Sequence, residues 1–167
     1  AAALVTNNKM CSIFSAVMAP TGALMAFLAL FSGSFWGRPT WGTHWVWDAR
    51  LTSELILLFL YLGFLALQSA IADHRRADKA CAVIAIVGVV NVPIIYFSVK
   101  WWNTLHQGAS ITSKGSSIAP IMLYTLLLMV VAFWIYSFAS TFVRARSMIL
   151  ERERRQTWVQ ALVKEGK

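Results

Sequence analysis

Between two greasy segments the chain reads WGTHWVWDAR, Trp41 to Arg50. Those residues hold Trp41, Trp45 and Trp47, a histidine at His44, and the pair Asp48 and Arg50. A second aromatic group, Trp101 and Trp102, is followed closely by His106. Large flat rings beside imidazole and carboxylate suit two jobs. Tryptophans anchor helices at a membrane–water interface, or they form an apolar floor for a flat ligand.

Other chemistries find little support. There is no Walker-type phosphate loop and no GxSxG nucleophile motif. Cys11 and Cys81 form neither a CxxC nor a Cys/His cluster, so neither a disulfide scaffold nor a zinc site is expected. Asp48 and Glu54 are the only carboxylates near the tryptophan-rich connection. Both have structural readings: Asp48 caps the helix that follows, and Arg50 pairs with Glu54 one turn on. A hydrolase needs a clearer nucleophile and base, so no enzyme is expected.

Haem is the ligand that these residue types fit. Its iron takes one or two axial ligands, often histidine, and its propionates suit basic side chains. On that reading His106 ligates iron. Trp36, Trp41, Trp45, Trp47, Trp101 and Trp102 supply the apolar platform, Arg38, Arg50 or Lys100 meets the propionates, and Asp48 joins the site by fixing the loop, with Arg50, at the head of the second helix. Composition alone favours a plain interfacial belt. A belt, however, does not require the fixed spacing Trp-Gly-x-x-Trp-x-Trp-Asp found from Trp41 to Asp48.

The elements that must position these residues are membrane helices. Of 167 residues, 58% are hydrophobic and 13% charged. With a mean hydropathy of +0.61, this is more apolar surface than a soluble domain of this size hides. Four segments reach the roughly 20 apolar residues a span needs: residues 11–32, 51–71, 81–99 and 118–143. The expected fold is an all-α polytopic bundle. A transmembrane domain over 1–143 carries outer loops at 33–50 and 100–117, and a basic tail fills 144–167. The net charge of +8 is segregated. Lys9, the group Arg75, Arg76 and Lys79, and the tail are all basic, so by the positive-inside rule they face the cytoplasm with both termini. Arg38, Arg50, Lys100 and Lys114 are left on the outer side, with six of the eight tryptophans. Both cysteines then lie near the reducing face. The tail reads as a headgroup-binding end of the fourth helix, so lipid rather than nucleic acid is its expected partner.

Within the third span, Pro93 removes a backbone donor. Asn91, polar in an apolar layer, must find a partner there and reads as glue between helices. The opening AAALV reads as the end of an earlier apolar segment, so the chain is expected to be a fragment.

The stretch WGTHWVWD resembles the WWD signature of haem-handling membrane proteins of cytochrome c biogenesis. NVPIIYFSVKWWNTLHQG, Asn91 to Gly108, is similar to a segment of the CcmC family, haem exporter protein C, as are the flanks SGSFWGRP and DARLTSELILLFLYLG. The resemblance covers about Met18 to Gly108. It implies haem b held on the periplasmic side of a bacterial inner membrane, its edge against the WWD loop and His106 as an axial ligand. It implies transfer to a membrane-anchored haem chaperone, with ABC transporter subunits and a small membrane subunit as further partners. The family pattern places a second axial histidine in an earlier outer loop that this chain does not contain. His44 stands at a variable, often aromatic position and reads as a substitution within the platform. Two other readings share features of the sequence: a cytochrome c synthetase-like subunit, which has the same WWD loop, and a haem-free scaffold subunit of a membrane complex.

Overall fold

The computed structural model describes residues 8–102, 104–108, 110–112 and 115–165. Lys114, Lys167 and the AAALV segment lie outside the described residues. The architecture is an all-α polytopic membrane bundle: α1 Lys9–Trp41, α2 Ala49–Ala70, α3 His74–Trp101, α4 Pro120–Arg152 and the short α5 Thr157–Glu165. Helices α1 to α4 are each long and apolar enough to cross a membrane.

Local chemistry sets the helix ends. Asn8, Asp48 and Asp73 accept backbone N–H groups at the starts of α1, α2 and α3, as N-caps do. Pro120 opens α4, where its missing donor costs nothing. Gly42 ends α1 in the left-handed region (φ 79°), its N–H donating to the Arg38 carbonyl at 2.9 Å. Glycine alone adopts that conformation at no steric cost. This is a physical reason for the glycine of the Trp-Gly-x-x-Trp-x-Trp-Asp pattern.

The helices overrun the boundaries expected from hydropathy. Residues 33–41, expected in the first outer loop, are the last turns of α1, so Trp36 and Trp41 stand on a helix. Backbone hydrogen bonding does not stop where the apolar layer ends; it stops at Gly42. For the same reason residues 144–152 continue α4 rather than begin a separate tail. Residues 100 and 101 likewise belong to α3, and the second connection contains a two-residue hairpin, Ile111–Thr112 against Gly115–Ser116.

Helices α2 and α3 form the most extensively packed pair. Their buried residues are mostly small: Ser53 on α2, and Ala77, Cys81, Ala82, Asn91 and Ser98 on α3. Small side chains let membrane helices approach closely, and polar ones bond across them. Asn91 does so, donating from Nδ2 to the Ser53 carbonyl at 2.8 Å, the interhelical role expected of it. Helix α1 joins this pair through Ala19, Phe64 and Cys81. At Gly22 the two helices touch: a Cβ there would sit 2.5 Å from Tyr61 Cζ.

Helix α4 packs mainly on α1, through Ile13, Val17 and Ala145. Arg144 donates to Thr21 Oγ1 at 3.0 Å. Arg152 grips Asp78 of α3 with two bonds of 3.1 Å. These contacts gather Lys9, Arg75, Arg76, Lys79 and the end of α4 at one end of the bundle, the basic end. The connections after α1 and α3 occupy the other, the tryptophan end. Towards that end α1 and α4 border an open cleft lined by Met25, Met122, Met129, Phe133 and Trp134 among others.

Candidate functional site: an Asp–His pair among tryptophans

The site starts from the head of α2. Asp48 Oδ1 accepts the Leu51 N–H at 2.8 Å, which is the expected cap. The other carboxylate oxygen has a second task. His106, 58 residues further along the chain, donates from Nδ1 to Asp48 Oδ2 at 2.8 Å. Both side chains are shielded, Asp48 at 6% exposure and His106 at 18%. The backbone N–H of His106 donates to Thr104 Oγ1 at 3.0 Å, which fixes the loop beneath the ring. A carboxylate on Nδ1 selects the tautomer and aims the ring, leaving Nε2 as the lone-pair nitrogen. One buried carboxylate therefore clips the second connection to the first.

The tryptophans divide into three groups. Trp41 lies edge-on to the His106 imidazole, centroids 4.6 Å apart, and Trp36 stands 5.5 Å from Trp41. Trp45 and Trp47 form a second T-shaped pair at 5.4 Å. Trp101 and Trp102 belong to a row on α3 that starts at Phe97, with Phe97 and Trp101 stacked 5.2 Å apart. Trp47 is 75% exposed and Trp36, Trp101 and Trp102 are also exposed, whereas Trp41 and Trp45 are half-buried. Trp45 Nε1 is buried with no hydrogen-bond partner among the described residues. A buried donor of this kind asks for a partner beyond the described residues.

The basic residues named from sequence are placed differently from one another. Arg38 donates from Nη1 to His44 Nε2 at 3.3 Å, and His44 Nδ1 donates to the Ser34 carbonyl at 3.3 Å. Both His44 nitrogens are therefore turned back onto α1. Lys100 Nζ lies 5.7 Å from the Phe97 ring centre. The expected Arg50–Glu54 ion pair does not form: among the described residues the Arg–carboxylate pairs within 4 Å are Arg76–Asp73 and Arg152–Asp78. Arg50 is half-buried beside the capping Asp48 and remains the basic group nearest the pair in sequence.

The Asp48–His106 bond is what the sequence reading missed. Reading Asp48 as a cap accounts for one carboxylate oxygen only. The second oxygen, and the short supply of carboxylates near two histidines, was the available signal. No group of three or more metal-binding side chains exists among the described residues.

Comparison with known proteins narrows the choice. The sequence model of a family described as CcmC, "Heme exporter protein C", matches residues 1–160. "Heme exporter protein C" of Escherichia coli K12 is 50% identical over 160 residues, covering 96% of this chain and 64% of that protein. The Haemophilus influenzae protein of the same description is 52% identical over 161 residues, 96% of this chain and 65% of the relative. A "Putative cytochrome c biosynthesis ccmC-like mitochondrial protein" of Marchantia polymorpha is 44% identical over 147 residues, 88% of this chain and 62% of the relative. The chain thus spans somewhat under two thirds of the length of these curated relatives.

Proposed function

The chain belongs to the CcmC, haem exporter protein C, family, and on that premise we propose that it holds haem b for cytochrome c maturation and hands it on. The carrying observation is the 2.8 Å bond from His106 Nδ1 to Asp48. It leaves Nε2 as the iron-directed nitrogen, and hydrogen bonding to a carboxylate raises the basicity of a metal-bound imidazole. Trp41 backs the imidazole, and the exposed faces of Trp36, Trp47, Trp101 and Trp102 offer apolar surface to a porphyrin edge. The unpaired Trp45 indole N–H is a donor for a ligand oxygen. Arg50 and Lys100 are the cations available to propionates, while Arg38 is engaged by His44.

On this reading the protein is a carrier and not an enzyme. The haem supplies iron and the delocalised ring; the chain binds it, orients it and leaves one edge open. The basic end faces the cytoplasm of a bacterial inner membrane and the tryptophan end faces the periplasm. From there haem passes to a membrane-anchored chaperone, with ABC transporter subunits and a small membrane subunit assisting release.

The test is the absorption spectrum of the chain purified in detergent, wild type beside His106→Ala. A Soret band that is lost or shifted in the variant supports the assignment. An identical band in both removes His106 from the iron. Haem in neither, with the chain folded and extended by the remaining third of its relatives' length, favours the scaffold reading. Attachment of haem to apocytochrome c without a chaperone would favour the synthetase reading.

A further inference from the structure

We propose that α5 is an interfacial foot that lies in the headgroup layer and selects anionic lipid. The inference is independent of haem binding. It begins with where α4 leaves the apolar layer. Met148 and Ile149 still pack against the α1 core, and beyond them five charged residues follow without a break at 151–155, Glu-Arg-Glu-Arg-Arg. There the helix stops. The Arg154 N–H donates to the Glu151 carbonyl and the Gln156 N–H to the Glu153 carbonyl, a tight turn that starts α5 at Thr157. The chain has reached headgroup depth and changes direction there.

Helix α5 is built for that depth. Val159 is buried at 5% exposure, so one face rests on protein. Trp158 and Leu162, one turn apart, are 44% and 52% exposed. In water such an edge would be an apolar patch; at the interface it is an anchor. The indole N–H of Trp158 donates to Glu153 Oε2 at 3.0 Å. This satisfies the ring's polar edge.

The cations decide which lipid. Arg144 and Arg152 are used inside the protein, by Thr21 and Asp78. Arg154, Arg155 and Lys164 flank the Trp158–Leu162 edge, are exposed or nearly so, and have no ion pair among the described residues. Basic residues beside an inserted apolar edge complement phosphate-bearing anionic headgroups. Each contributes about fivefold to partitioning at low salt, an effect that salt screens.

The full chain would be reconstituted into vesicles of phosphatidylcholine alone and of phosphatidylcholine with phosphatidylglycerol at about seven to three. Amide exchange of residues 154–165 is the readout. The expected result is slower exchange in the anionic vesicles by tenfold or more. That protection should fall to the neutral-vesicle level in 0.5 M salt and in the triple variant Arg154→Gln, Arg155→Gln, Lys164→Gln. These residues are surface groups, so unchanged exchange in α2 and α3 reports an intact fold. Equal exchange in both vesicle types overturns the proposal. So does protection that survives the triple variant, which would mean that α5 docks on protein.

Discussion

At the tryptophan end, one carboxylate is shared between a helix cap and an imidazole, under aromatic cover, and the bond to the imidazole engages Nδ1. At the basic end, the charged groups between helices are spent on the chain itself. Arg152 closes on Asp78 with both guanidinium nitrogens, and Arg144 is absorbed by Thr21 Oγ1. The same kinds of residue therefore hold helices together at one end and clip one connection to the other at the opposite end, where haem is proposed to bind. A polar group buried without a partner is costly. Among the described residues Trp45 Nε1 is such a group, and it stands where a ligand is proposed.

Substitutions can break this contrast, and the largest effect is expected at Asp48. Asp48→Ala removes the cap of α2 and the orienting bond to His106 together. Haem retention should fall roughly 10- to 100-fold, as it does when a second-shell carboxylate is lost, and α2 should lose about 1 kcal/mol of capping. Titration of haem followed at the Soret band checks the first, and exchange at Leu51 the second. Asp48→Asn sharpens the test, because an amide oxygen still caps; retention equal to wild type would mean that the His106 bond does not matter to haem.

Gly22→Val comes next. Its side chain overlaps the Tyr61 ring, and overpacking of this kind costs about 1–3 kcal/mol. Thermal unfolding in detergent should shift down, with the Soret spectrum of surviving protein unchanged. At the basic end, Asp78→Ala strips Arg152 of its partner. It should loosen α4 from α3 and raise exchange around residues 145–152, again leaving haem spectra alone. A spectral change here would erase the distinction between the two ends.

Asp73 gives the smallest and most local effect. The N–H groups of Arg76 and Arg75 hold its carboxyl below the usual carboxylate range. A depressed folded-state pKa means that the cap is fully formed above the unfolded value, about 3.9, and is lost as pH falls through the lower folded value. Exchange at Arg75 and Arg76 should rise only in that acidic window.

Much of the fold was legible because hydropathy reports it directly. Four apolar segments, divided by basic and aromatic connections, define a four-helix polytopic bundle without reference to packing. The helix ends were less legible. Hydropathy marks the lipid layer, whereas a helix ends where its last carbonyls find a cap, and at Trp41 that depends on Gly42 turning left-handed. The Arg50–Glu54 pair was expected from spacing one turn apart, yet spacing permits contact without compelling two flexible side chains to meet.

What the sequence determined by itself was the membrane class, the segregation of cations from tryptophans, the cap at Asp48, and the residue types proposed to meet haem. These depend on composition and on neighbours within a turn. Only the tertiary structure decided that Asp48 has two partners, that His44 is turned back onto α1, and that Arg152 is closed on Asp78. Each of those contacts except the His44 one joins residues more than 50 positions apart, and none follows from local spacing. Which oxygen meets which nitrogen is set by how α2, α3 and α4 pack, and that packing rests on small buried residues whose partners the linear sequence does not name.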